Sequence, residues 1–226
     1  MSIAKNIRNI EQKIREAEKK YGREHHSIIL LAVSKSQNID KLKAAIAGGQ
    51  TLFGENYVKE AITKIAALQN LHLEWHFIGA IQVNKTRLIA THFEWVHSIS
   101  RLKIAEQLNQ YRTSEQSPLN ICIQINISEE KNKSGISLVD LPKFVAEINQ
   151  FKRLRLRGLM TIPAFKKDFK AQKHDFEKIK NAQQQLIEEG FLLDTLSMGM
   201  THDFQAAIAA GSTMVRIGTG IFGPRD

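Results

Sequence analysis

Lys35 follows an unbroken apolar run, Ile29-Leu30-Leu31-Ala32-Val33, and one serine. A lysine stem that starts in such surroundings is desolvated. Full burial disfavours the ammonium by as much as ~3–5 pKa units, which leaves a neutral amine able to form a Schiff base with an aldehyde. A solvated lysine at a strand end is the competing reading, and a phosphate site and a fixed cation in the same mouth would decide for the amine. The C-terminal segment offers both: Arg216, and Gly218-Thr219-Gly220, whose backbone N–H groups a phosphate can approach closely. Gly218 to Gly223 also spells G-x-G-x-x-G, but only three residues remain to Asp226. The dinucleotide fingerprint needs a following helix and an acidic residue about 20 positions on, so the match is expected to cradle one phosphate and not a dinucleotide.

Two further chemistries are set aside on spacing. His72 and His76 lie four apart, which on an extended strand separates them by about 13 Å, whereas zinc ligands converge within about 2.1 Å of the metal. No metal site is expected. The lone Cys122 sits between Ile121 and Ile123 with no assignable histidine partner, and reads as a small core hydrophobe. A single cysteine also rules out an internal disulfide, and with the polar start Met1-Ser2-Ile3-Ala4-Lys5 it points to a reducing, cytoplasmic setting. The longest purely aliphatic stretch, Ile28 to Val33, is far short of the ~20 residues a spanning helix needs.

The elements that must position these residues follow from hydropathy. Ile3, Ile7, Ile10, Ile14, Ala17 and Tyr21 form one stripe of a leading amphipathic helix. Eight short apolar runs then recur: 28–34, 51–53, 73–78, 95–98, 120–126, 156–160, 195–198 and 213–217. Helical stretches separate them near 39–47, 56–69, 84–91, 101–112, 140–149, 169–189 and 203–210, with Gly48-Gly49, Gly190 and Gly211 at helix ends. Alternating strands and helices in one domain, spanning residues 1–226, mean a parallel sheet, and eight strands close a (β/α)8 TIM barrel. An open doubly wound sheet is the rival. The stretch Ala44 to Thr51 resembles Ala206 to Thr213, which favours the repeated unit of a barrel.

Barrel chemistry sits at the C-terminal ends of the strands, and the unusual residues fall there. Ser34-Lys35, Gly54-Glu55-Asn56, Ile78-Gly79, Asn126, Met160-Thr161, Met198 to Thr201 and Arg216 to Thr219 would all meet at one mouth. Strands seven and eight, where barrels commonly bind phosphate, contribute Thr201 and Gly218-Thr219-Gly220.

Charge adds little to this picture. The chain carries +9 at neutral pH, of which residues 151–180 supply seven, ten basic side chains against three acidic ones. Phe176, Ile179, Ala182 and Leu186 recur at helical spacing between the lysines, so the block is expected to be a solvated face, with an anionic polymer or partner as the alternative.

Along nearly its whole length the sequence resembles the pyridoxal phosphate homeostasis protein family, whose fold is that of the alanine racemase barrel domain. The resemblance rests on Ala32 to Lys35, Phe53 to Val58, Trp75 to Gly79 with Gln82 and Asn84-Lys85, Gly158 to Thr161, Leu196 to Met200, and Arg216 to Thr219 through Phe222-Gly223. It implies that Lys35 carries pyridoxal 5′-phosphate as an internal aldimine and that Arg216 faces the pyridine nitrogen. It further implies that Thr201, Gly218 and Thr219 hold the phosphate and that Asn56 is a ring-side contact. Two positions depart from the family pattern: Thr201-His202 stands where serine and an acidic or small residue are usual, and Ala80 stands where proline is common.

Two functions compete for this cofactor. A carrier in intracellular vitamin B6 homeostasis masks a reactive aldehyde and passes it to apo-enzymes. An amino-acid racemase needs acid/base groups on both faces of the substrate. The carrier is expected here. The chain ends at Asp226, where alanine racemase continues into a second domain, and its one tyrosine near the mouth, Tyr57, is expected to line the cofactor site or to pack on the helix it opens. An arginine opposite the ring nitrogen can only donate, which keeps that nitrogen unprotonated and the ring a poor electron sink. No membrane and no nucleic-acid partner are expected.

Overall fold

The computed structural model describes residues 2–128, 130 and 134–224. Met1 and Arg225-Asp226, which bound the expected domain, lie outside the described residues. A leading helix α1 (Ile3–Lys20) is capped by Ser2, whose side chain accepts from the Lys5 N–H, and it buries Ile7, Ile10, Ile14 and Ala17. Parallel strands and helices then alternate: β1 (Ile29–Val33), α2 (Ile39–Ala47), β2 (Leu52–Glu55), α3 (Val58–Ala67), β3 (Glu74–Phe77), α4 (Thr86–His92), β4 (Trp95–Ile99) and α5 (Leu102–Tyr111). The series continues through β5 (Leu119–Ile125), α6 (Leu141–Ile148), β6 (Leu154–Thr161), α7 (Phe169–Glu188), β7 (Thr195–Ser197), α8 (Phe204–Ala209), β8 (Met214–Ile217) and a last short turn of helix, α9 (Thr219–Phe222).

The strands pair in sequence order and close on themselves, β1 lying beside β8 with Ile29 opposite Met214 and Ala32 opposite Ile217. This is the TIM barrel and not the open sheet. The internal repeat is structural. Gly49 and Gly211 both take positive φ, 96° and 108°, which a residue with a Cβ rarely adopts. Each is followed by a buried polar side chain that ties strands together: Gln50 donates to the Leu30 and Leu52 carbonyls, and Ser212 donates to the Met198 carbonyl.

Two expectations shift. β6 begins at Leu154 and not near Leu156, because it pairs with β5 from Leu119 onward across a bulge between Ile121 and Cys122. The glycine-rich C-terminus is not a bare loop: Gly218 leads directly into α9, whose Ile221 and Phe222 are buried and whose Ile221 carbonyl accepts from the Asn6 side chain at 2.8 Å. Docking on α1 supplies the tertiary contacts that so short a helix needs. Among the described residues no helix is long and apolar enough to cross a membrane.

Candidate functional site

A cavity of about 230 Å³ opens at the C-terminal ends of the strands. The structure brings Lys35, Asn56, Thr201, Arg216, Gly218 and Thr219 together in its wall, with Ile78, Ile162 and Met200 as apolar lining. Its volume lies below the ~300–1,000 Å³ of sites that take drug-sized ligands, so it suits one small ring with its substituents. A larger cavity, about 560 Å³, lies at the opposite end of the barrel beside Arg155 and Leu192 and contains none of these residues.

Lys35 stands two residues past β1, half-buried, in a turn whose next residue, Ser36, has φ 60°. The turn is clamped from below. Lys64 on α3, only 3% exposed, donates to the Ser34 carbonyl and to Glu55 at 2.7 Å each, and to Glu60 at 2.5 Å. Ser34 Oγ donates to Glu55 at 2.6 Å, and the Ser36 N–H donates to Glu60 at 2.7 Å. Burial pushes the Glu55 carboxyl above its ordinary pKa, and the Lys64 ammonium opposes that shift. Lys64 was invisible to sequence reasoning, since a lysine on an amphipathic helix reads as solvated.

Asn56 follows the last residue of the neighbouring strand β2, and its Oδ1 is buried without a hydrogen-bond partner. An orphaned acceptor of this kind suits a donor supplied by a ligand. Its backbone is held by Gly79: a Cβ there would lie 2.4 Å from the Asn56 carbonyl oxygen, so only glycine lets β3 approach so closely. At the other side of the mouth the Thr201 and Thr219 hydroxyls lie 3.2 Å apart. The Thr201 loop is shaped by Gly199, φ 99°, and by Asp203, which accepts from the Met200 N–H at 2.6 Å.

Arg216 is 3% exposed. It donates to both oxygens of Ser197, at 2.7 Å to Oγ, and to the Thr161 carbonyl at 2.9 Å. Desolvation brings its pKa down to about 10, so it remains a cation at neutral pH. Cys122 is buried near it, and burial pushes its thiol up to about 12, which keeps it protonated and unreactive. Of the two places expected for Tyr57, the first is not observed: it does not line the cavity around Lys35. It is 57% exposed and lines an adjoining cavity with Lys59, Gln82 and Lys85, sharing only Asn56 with the first. His202, noted in the sequence only as a departure beside Thr201, does line the first cavity.

The basic segment 151–180 is largely paired or solvated. Arg157 forms an ion pair with Asp194 at 2.6 Å and lies over the Trp95 ring, and Lys166 pairs with Asp175 and Lys173 with Glu177.

Comparison with known proteins gives this site its context. The family described as alanine racemase, N-terminal domain, matches residues 2–226. The pyridoxal phosphate homeostasis protein of Escherichia coli K12 is 50% identical over 227 residues, 99% of this chain and 97% of that one. The chain belongs to the pyridoxal phosphate homeostasis protein family. A second member, from Vibrio alginolyticus, is 48% identical over 100% of this chain and 98% of its own. Among solved structures, PipY of Synechococcus elongatus with pyridoxal phosphate bound superposes with a TM-score of 0.86 at 31% identity, covering 98% of this chain and 100% of that one. Membership accounts for the barrel with its leading helix.

Proposed function

We propose that this protein binds pyridoxal 5′-phosphate in the 230 Å³ cavity and serves as a carrier in vitamin B6 homeostasis, not as an enzyme. The observation that carries the reading is the convergence of Lys35, a buried arginine, two hydroxyls beside a glycine, and an orphaned amide oxygen on one small cavity. When bound, the cofactor contributes an electrophilic aldehyde and an electron-poor ring. Lys35 would be its covalent anchor, Arg216 would donate to the ring nitrogen, Asn56 would contact the ring side, and Thr201, Thr219 and the Gly218 N–H would hold the phosphate. PipY, of similar fold, is described with the same cofactor bound, which supports the assignment. Apo-enzymes that require the cofactor are its recipients, and the cytoplasm, where Cys122 stays reduced, is its setting.

The test is direct. Protein incubated with the cofactor should absorb in the visible, and borohydride followed by peptide mapping should leave the pyridoxyl label on the Lys35 peptide. Lys35→Ala should abolish the label. A colourless wild-type protein, or label spread evenly over surface lysines, would refute the reading.

Thr201→Ala removes one hydroxyl that would donate to the phosphate dianion. A charge-assisted hydrogen bond contributes about 1.5–3 kcal/mol, so equilibrium titration should show affinity about ten- to a hundredfold weaker. Phosphate-free pyridoxal should lose its sensitivity to this substitution; if it binds as tightly as the phosphate ester, the phosphate assignment fails.

A further inference from the structure

The barrel interior is not uniformly apolar. Glu74, His76, His97, Ser197 and Arg216 form one hydrogen-bonded chain: Glu74 Oε1 to His76 Nε2 at 2.8 Å, His76 Nδ1 to His97 Nε2 at 2.9 Å, His97 Nδ1 to Ser197 Oγ at 2.7 Å, and Ser197 Oγ to Arg216 at 2.7 Å. His76, His97 and Ser197 are fully buried. β4 and β7 are not neighbours in the sheet, so the His97–Ser197 bond crosses the barrel axis. One end lies at the cavity. The other, Glu74, begins β3 at the opposite end of the barrel with its side chain 44% exposed.

The two ends dictate the direction of every bond between them. A guanidinium only donates, and an ionised carboxylate only accepts. Ser197 Oγ, accepting from Arg216, has one hydrogen to give and His97 Nδ1 to receive it. His97 must then carry its proton on Nε2 and donate to His76 Nδ1, which puts the His76 proton on Nε2, facing Glu74. Both imidazoles are neutral in this arrangement, and burial independently lowers both pKa values, that of His97 well below its ordinary value. The flanking charges are Arg157, stacked on Trp95 and paired with Asp194, Glu94 near Glu74, and Arg216 with Asp203. Trp95 in turn stacks on the His76 ring at 5.4 Å.

We propose that Glu74, His76, His97 and Ser197 are positioning residues that act as one unidirectional array to fix the Arg216 guanidinium against the cavity. This rests on the reading of Arg216 as the group facing the cofactor ring. Ser197 gives the buried cation two acceptors and the Thr161 carbonyl a third, with no carboxylate in ion-pair contact among the described residues and Asp203 acting on it only through space, so the guanidinium keeps its charge and its orientation. It also makes the mouth sensitive to Glu74, at the far end of the barrel.

The experiment has one arm that needs no cofactor. In the unliganded protein, 15N NMR of the imidazoles should show His76 and His97 neutral, protonated at Nε2, and not titrating between pH 5 and 8. Exchange of the Arg216 side-chain N–H groups should be slow and should accelerate about tenfold or more in Ser197→Ala, the loss of about one hydrogen bond. Glu74→Ala, at a half-exposed position that does not threaten folding, should move the His76 and His97 signals. In a second arm, Ser197→Ala and His97→Phe should shift the absorption band of the bound cofactor in the same direction as Arg216→Lys, and should add nothing in an Arg216→Lys background. A charged or Nδ1-protonated imidazole, or unchanged Arg216 exchange in Ser197→Ala, overturns the array whether or not the cofactor binds. An unshifted band in both variants does the same. Failure of the wild type to bind cofactor, with the NMR pattern intact, refutes the cofactor reading and leaves the array standing.

Discussion

Lys64→Met should destabilise the protein by about 3–5 kcal/mol at neutral pH, the usual cost of removing one partner from a buried ion pair. Glu55 is fully buried, and its Oε2 already lacks a partner, so without Lys64 the carboxylate would face desolvation with only the Ser34 hydroxyl to satisfy it. The loss should depend on pH, with a definite sign. Burial raises the Glu55 pKa in the folded protein and Lys64 opposes that rise, so the variant's folded value climbs further while the unfolded value stays near 4.3. A carboxyl whose folded pKa is raised costs stability as pH rises from the unfolded value through the folded one. Urea denaturation should therefore show a large deficit at pH 8 that shrinks as pH falls toward the unfolded value, since a protonated Glu55 needs no counter-charge. An equal deficit across that range would sink the argument. Adding Glu55→Gln should recover much of the loss, since replacing both partners of such a pair removes the uncompensated charge. The same lysine holds the Ser34 carbonyl and, through Glu60, the Ser36 N–H. Lys64→Met should thus also weaken cofactor binding at Lys35, between those two anchors.

How much of this was legible from sequence depends on whether a feature is local. The helix α2 was read at its true bounds, its end marked by Gly48 in the sequence; its start is fixed in the structure by the Asn38 cap, a signal equally local. The six candidate residues could be gathered because each lies in or just after the C-terminal end of a strand, and parallel barrel strands deliver those ends to one face. The buried arrays were not legible. Nothing near Lys64 distinguishes it from a solvated helix lysine, because its partners come from the turn after β1, from β2 and from the start of its own helix. His76 was weighed as a zinc ligand only with His72, and His97 was not singled out, since spacing along the chain says nothing about which strands face each other across a barrel. Their true partners lie 21 and 100 residues away. Tyr57 was left between two placements for a related reason: a residue just past a strand can turn either way, and here it opens α3 toward the neighbouring cavity.

The cofactor-loaded protein should leave L- and D-alanine unchanged, a negative result with a large contrast, because enzymes accelerate their reactions by about 10⁶-fold or more. Two-sided proton transfer needs an acid/base group within about 2.6–3.2 Å of the α-proton on each face. Of the groups lining the cavity, Lys35 and His202 carry the nitrogens available for proton transfer, since Arg216 stays charged. His202 is exposed and in a loop, with solvent to compete for its proton. Arg216, donor only, would in the proposed binding mode leave the ring nitrogen unprotonated and weaken the electron withdrawal that carbanion formation requires. In deuterium oxide, NMR of alanine should therefore show α-exchange no faster than with free cofactor, while an added cofactor-dependent apo-enzyme gains activity in the same tube. Exchange with inversion that vanishes in both Lys35→Ala and His202→Ala would assign those two residues as opposing bases and overturn the carrier reading. Exchange with retained chirality, lost only in Lys35→Ala, would mean one working face, the outcome expected of a racemase barrel that lacks an opposing base.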